Sequence, residues 1–350
     1  MLKGRNRLSL LKRFLPYLAA ALIIWLLLRQ ISLHLIWQLL RQAQFEWVAA
    51  GLGWYVVTII LRAYRLGTLL AMTGWRRPLS LLPDVLALSL INNLLPARAG
   101  ELSFPLIMQR RHGLAISESL VLLFIVRFFD FLCVIGLFVV FALLNSANLT
   151  KATGSFILSL SLLLIPLLVL GALLPWLGSK GLQAITWFMQ RLGQAERPFS
   201  QKLLAGGQTA VEVIGRVHKI ETYGRVLGWS LAGWLTTFAW FTAFLAAINI
   251  PVPLPLVIVG AAFATLSKAL PLATVGGFGA HEAGWAFGFH LIGMPADLAI
   301  ASGFAINILT LLASITVALF VFSVNPHLFR LQFKEWWESG RITAADVSSE

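Results

Sequence analysis

The sequence predicts an all-α polytopic membrane protein, with about six spanning helices plus two re-entrant broken-helix hairpins in an inverted repeat. Three observations carry that fold class. Apolar types (A, V, I, L, M, F, W, Y, C) make up 59% of the 350 residues and charged types only 12%, where soluble domains carry roughly 25% charge. Several apolar runs approach the roughly 20 residues that a helix needs to cross ~30 Å of hydrocarbon. Two further apolar regions are interrupted by Pro and Gly, so each half is too short to span alone.

The elements follow in order. Basic residues Lys3 to Arg13 precede a first span at about 14–33. Residues 34–45 (HLIWQLLRQAQF) set apolar side chains at helical spacing around Gln and Arg, which predicts an amphipathic helix on the outer surface. A second span, about 46–72, runs back inward with Arg62 and Arg65 near its inner end, placed to reach inner-leaflet phosphates by snorkelling. Residues 81–95 are apolar, then Pro96 and Gly100 break them, and a second short piece ends at Arg110 and Arg111. Spans are expected at about 117–145 and 155–177. A basic amphipathic segment, 178–222, is expected along the inner leaflet. Another span covers about 224–248. A second broken segment, 254–292, is interrupted at Pro271, Gly276, Gly277 and Gly279, and a last span occupies about 297–323. Residues 1–325 then form a single transmembrane domain and 326–350 a cytoplasmic tail.

Charge placement sets the orientation. Of the 27 Lys and Arg, 19 fall in 1–13, 76–77, 110–111, 180–225 and 330–341, and only Arg29, Arg41 and Lys151 lie in the alternate segments. This positive-inside pattern puts both termini in the cytoplasm. The net charge of +13 therefore records topology and contact with anionic lipid, not nucleic-acid binding. Thirteen Trp fit an interfacial aromatic belt. The single Cys133 offers neither a disulfide nor a Cys metal site, and no cofactor is called for. A long first apolar run without a small-residue cleavage site argues against a cleavable signal peptide.

The two broken segments parallel each other. LPARAGE (95–101) matches LPLATVGGFGAHE (270–282), with Leu-Pro at the start and a Glu after small residues. Each then runs to a Gly (Gly113, Gly293), a short polar turn and a long apolar helix. Three spans separate the hairpins, so the second must enter from the opposite face. The repeat halves are about 46–145 and 224–323, an arrangement by which many transporters build a central site.

Charges at bilayer depth are costly unless paired or hydrated. Arg127 and Asp130 are three apart on one helix face and able to pair, either as a packing salt bridge or with Arg127 facing a cavity. Arg98 and Glu101 flank the first elbow. They either cradle a lipid phosphate at a half-helix N-terminus, or form a cap with its neutralising partner. Glu282 is placed in the first turn after the second elbow, with Lys268 before it as a pairing candidate. Opposed Glu101 and Glu282 would couple, so that one carries a proton or meets a lipid amine. His281 reads as a hydrogen-bonded interior residue, since no second His or Cys lies at metal spacing. Asn92 and Asn93 are placed to satisfy backbone groups freed at the first break.

NNLLPARAGELSFPLIMQRRHG, a helix with Arg127-x-x-Asp130, and LPLATVGGFGAHEAG together resemble the transmembrane domain of lysylphosphatidylglycerol synthase/flippases. The resemblance runs over about 10–325, and it includes the N-terminal half of the multiple peptide resistance factor. It implies lipid translocation between leaflets, with Arg98, Glu101, Arg127, Asp130 and Glu282 at matching positions. Phe104 and His281 stand where members often carry Arg. With no aminoacyl-transferase domain expected after Glu350, the resemblance implies no lipid-synthesising activity.

The leading expectation is a flippase-like carrier, not an enzyme, in a bacterial inner membrane. Its cargo would be a phospholipid or a polyprenyl-phosphate-linked head group. Its partners would be membrane lipids, with a homo-oligomer or envelope-lipid biosynthesis enzymes as further possibilities. The alternatives are an intramembrane lipid-modifying transferase and a non-catalytic scaffold for such enzymes.

Overall fold

The structure is a computed structural model, and it describes residues 33–71, 77–94, 99–146, 151–194, 196–217, 220–268 and 279–324. The expected first span at 14–33, the tail 326–350, and Pro96, Arg98, Pro271, Gly276 and Gly277 lie outside the described residues. The described chain is helical throughout, in these elements: α1 (Leu33–Arg41), α2 (Phe45–Leu70), α3 (Leu82–Leu94), α4 (Ala99–His112), α5 (Ile116–Leu144), α6 (Lys151–Arg191), α7 (Pro198–Val217), α8 (Ile220–Ala247), α9 (Leu254–Ser267), α10 (Ala280–Leu291) and α11 (Ala296–Val324). A 3-10 turn, Pro78–Leu81, leads into α3.

Among the described residues, five helices are long and apolar enough to cross a membrane: Phe45–Leu70, Ile116–Leu144, Gly154–Gly171, Glu221–Ala247 and Ala296–Val321. They match five of the six expected spans, and the protein is a multi-pass membrane protein. Their exteriors are apolar because lipid is the solvent. Leu144, Leu158 and Phe320, for example, are 74%, 63% and 69% exposed.

The two broken segments fold as antiparallel hairpins of short helices. In the first, the start of α3 meets the end of α4, where Asp84 bonds Arg111 and also His112 at 3.0 Å. Asp84 is fully buried, and the two basic partners supply its compensation. In the second, α9 and α10 lie in backbone contact. The Ser267 hydroxyl donates to the Ala280 carbonyl at 2.6 Å, and a Cβ added at Gly288 would sit 2.0 Å from the Gly260 carbonyl oxygen. Gly284 and Gly288, one turn apart, face Gly260 and Ala264, the small-residue packing that replaces the hydrophobic effect between helices in lipid. At 12 to 14 residues, each of these helices is about 18–21 Å long, well short of a crossing.

The element order repeats: a long helix, two short helices in a hairpin, a long helix. Thus α2, α3, α4 and α5 correspond to α8, α9, α10 and α11. Both hairpins leave through a left-handed glycine, Gly113 (φ 69°) and Gly293 (φ 90°), and the next long helix begins three residues later, at Ile116 and Ala296. Packing is reciprocal as well. Helix α5 lies against α9, and α11 lies against α3. The pair α2 and α8 has the most extensive contact in the fold and runs antiparallel. Thr58 bonds Thr236 at 2.9 Å, Arg65 bonds Ser230 at 3.2 Å, and Tyr64 stacks on Trp229 at 5.2 Å.

Of the outer elements, α1 follows its expectation and α6 departs from it. Helix α1 is amphipathic as its spacing predicts, with Ile36 and Leu39 buried, Trp37 exposed and its inner face on α11. The span expected to end at 177 continues unbroken to Arg191, making α6 a single helix of 41 residues. The loss of hydropathy near 178 marks a change of surroundings, not an end of backbone hydrogen bonding. Helix α7 folds back onto α6 and α5, burying Val213 and Val217 while Arg216 pairs with Glu118 at 3.8 Å.

Candidate functional site

Two polar centres sit among these helices. The first is built on Asp130, at the midpoint of the 29-residue α5. Its Oδ1 accepts from Arg65 at 2.6 Å and from the Trp234 indole at 3.0 Å, and its Oδ2 accepts from Arg127 at 3.2 Å. Arg65 also donates to Ser230. Helices α2, α5 and α8 therefore meet around one carboxylate, which carries three hydrogen bonds and satisfies the condition for burying charge.

The expected Arg127–Asp130 pair is present, but it is the weaker half of the group. The side chain of Arg127 is 31% exposed, whereas that of Arg65 is only 10% exposed. The expectation that Arg62 and Arg65 snorkel to phosphates at the membrane surface is corrected. On α2 the buried positions Thr58, Arg65 and Leu69 recur at spacings of seven and four, which puts Arg65 on the stripe that packs against α8. Arg62, half-buried, is close enough to Asp130, Arg65 and Arg127 to interact electrostatically with all three.

The second centre lies at the start of α10. Gly279 adopts φ 97°, a conformation that suits glycine, and its N–H donates to Glu282 Oε2 at 2.6 Å. Glu282 Oε1 accepts from the Asn307 amide of α11 at 2.8 Å. The carboxyl group is fully buried, so it caps the half-helix from inside and ties the hairpin to α11. Lys268, the C-cap of α9, is near enough to influence both Glu282 and His281 electrostatically.

His281 is corrected. It is 1% exposed and stacks near Phe241 and Trp285, but among the described residues neither ring nitrogen has a hydrogen-bond partner. Its place on α10 points the ring into an aromatic wall that offers no acceptor. Asn92 Oδ1 is buried with no partner among the described residues, and the break that Asn92 was expected to serve lies outside them. Gly100 and Glu101 lie in the first turn of α4; the Glu101 side chain and all of Arg98 lie outside the described residues. The first elbow therefore stands as an expectation.

The sequence reading missed Arg65, Ser230, Trp234, Asn307 and Asp84. A signal existed for one of these. Arg62, Arg65 and Thr58 share a helical stripe with too few apolar residues for a lipid-facing surface. Asn307 and Trp234 carry no such mark, because an amide or an indole in an apolar span looks the same whether it faces lipid or a carboxylate.

The profile of the lysylphosphatidylglycerol synthase TM region matches residues 13–318. The chain belongs to this family. No curated protein and no solved structure matches. The matched stretch of the lysylphosphatidylglycerol synthase TM region encloses both hairpins, both polar centres, four of the five apolar spans and most of the fifth. Phe104 is 6% exposed and His281 1%, so both positions are interior.

Proposed function

We propose that this protein moves a lipid between leaflets, passing its head group through a polar site between two re-entrant hairpins while the acyl chains stay in lipid. The observation that carries the reading is the reciprocal packing of the two halves about the antiparallel α2–α8 pair. Corresponding helices running in opposite directions are what an inverted repeat requires. With the halves inverted, one hairpin enters from each face, and their charged tips approach mid-depth. The short α3/α4 and α9/α10 pairs support re-entry, since a helix of 12 to 14 residues cannot cover ~30 Å of hydrocarbon.

In this reading Glu282 and Glu101 are equivalent acids at the two hairpin tips. Arg98 stands beside the first and Lys268 beside the second, while the Arg65–Asp130–Arg127 group forms the wall. The protein works without covalent change to the lipid. Membrane lipids are its partners, and it sits in the inner membrane of a bacterium with both termini cytoplasmic, as the basic segments indicate.

The test is a vesicle assay with purified protein and a fluorescent phospholipid, reading the fraction that becomes accessible to an external quencher. Wild type is expected to move the lipid, and Glu101→Gln with Glu282→Gln to slow it by about tenfold or more. That loss corresponds to about 1.4 kcal/mol or more of lost charge interaction. A double variant as fast as wild type, or a wild type that moves nothing, overturns the reading.

A further inference from the structure

Native interiors leave few polar atoms without a partner, and each exception asks for a physical reason. Three such exceptions stand together along one wall. Among the described residues, the Tyr55 hydroxyl on α2, the Trp240 indole N–H on α8 and both ring nitrogens of His281 on α10 make no hydrogen bond, and all four atoms are sealed from water. Ser314 of α11 is near Tyr55, but its own hydroxyl donates to the Leu311 carbonyl at 2.8 Å. The rings are continuous: Tyr55 lies 5.8 Å from Trp240, Trp240 4.1 Å from Phe241, and Phe241 6.2 Å from His281. Neighbouring indoles are served. Trp234 donates to Asp130, and Trp285 donates to Ser302 at 3.1 Å.

The ties of α10 show which of its sides is free to part. Toward α9 it is held by the Ser267–Ala280 bond, and toward α11 by Glu282–Asn307 and Trp285–Ser302. Toward α8 it makes ring contacts, Phe241 with His281 and with Trp285 at 5.2 Å. Among the described residues no hydrogen bond or ion pair joins α8 to α10. Separating these two helices therefore breaks no polar tie, and it lets unpartnered atoms on both sides find one. The usual cost of wetting a buried contact is offset there, because the unmade hydrogen bonds burden the closed arrangement alone. Ring packing holds it shut.

We propose that the contact of Phe241 with His281 and Trp285 is a gate, closed in this structure, and that α10 parts from α8 to admit water and the cargo's head group to Trp240, His281 and Tyr55. The head group rests on the carrier reading above; the gate itself does not. Because α10 stays tied to α9 and α11, the second hairpin and α11 swing together against the α2–α8 pair.

The test is thiol labelling of purified full-length protein in detergent with N-ethylmaleimide, which needs a thiolate in contact with water. Thr237, buried one turn before Phe241 on α8, is near in size to cysteine, and Thr237→Cys in a Cys133→Ala background places a probe on the gate's own stripe. The buried Cys133 of wild type, on α5, is the reference for a position that stays packed. The gate probe is expected to react about tenfold or more faster than Cys133. Tyr55→Phe, which deletes one unpartnered hydroxyl and keeps the ring, is expected to slow that labelling about fivefold or more while the thermal midpoint holds or rises. A probe no faster than Cys133 overturns the proposal, as does a Tyr55→Phe protein that melts earlier or labels at an unchanged rate. If Thr237→Cys fails to fold, Ser314→Cys, fully buried beside Tyr55, takes its place with the same expectations.

The two readings fail differently. A gate probe that labels quickly in a protein that moves no lipid in vesicles sinks the carrier and leaves the gate. Lipid movement by a protein whose probe stays as unreactive as Cys133 sinks the gate and leaves the carrier.

Discussion

Asp130→Ala is expected to be the most damaging single substitution in the helix bundle. It removes the acceptor for Arg65, Arg127 and Trp234 at once and leaves two guanidiniums facing each other between α2, α5 and α8. Removing one partner of a buried pair costs about 3–5 kcal/mol, because the remaining charge stays desolvated. The expected readout is loss of the monodisperse peak in size-exclusion chromatography after mild heating, at temperatures that wild type survives. A paired change makes the cause specific. Asp130→Leu with Arg65→Met replaces both main charges by apolar groups of similar bulk, and it is expected to recover a large part of the loss. If the double variant is no better than Asp130→Ala, the damage comes from packing and the electrostatic account fails.

The second large effect is expected at Gly288. A methyl group there would stand 2.0 Å from the Gly260 carbonyl oxygen and 2.9 Å from its carbon. Both are backbone atoms, which cannot swing aside as a side chain end can. Gly288→Ala must therefore open the α9/α10 hairpin, and overpacking of this kind costs about 1–3 kcal/mol, here at the upper end. Gly136→Ala is the matched control, since nothing lies within 4 Å of a Cβ at that position and alanine is the better helix former by about 1 kcal/mol. Thermal midpoints are expected to fall for Gly288→Ala and to hold or rise for Gly136→Ala. Equal midpoints would mean that the hairpin is not held by the close contact. Opening the hairpin also pulls Glu282 away from Asn307, so lipid movement is expected to fall along with stability.

Much of the fold was legible from the sequence because a bilayer simplifies the code. In lipid every backbone polar group must be satisfied locally, so an apolar run of span length is a helix. The starts of α2, α5, α8 and α11 fall within a few residues of their expected places. The breaks were legible for the same reason, since Pro96 and the glycines around 276–279 interrupt runs that would otherwise span. Side-chain facing was less legible. Arg62 and Arg65 near a helix end satisfy the snorkelling pattern and the inward-pairing pattern equally well in one dimension. Only the position of α8, which brings Ser230 and Trp234 alongside, decides for the interior. The length of α6 was misjudged because hydropathy reports what surrounds a helix, and a helix that leaves the lipid need not stop. The Arg127–Asp130 spacing was informative because both partners are on one helix; the stronger bond to Arg65 joins positions 65 residues apart.

Helix α11 touches both hairpins, receiving α3 along one side and α10, through Asn307 and Glu282, along another. It therefore works as a shared axle. A tilt of either hairpin loads the same rod, and the opposite hairpin feels it through α11. Cutting the Asn307–Glu282 tie would free one end of that linkage, leaving the halves to move out of step.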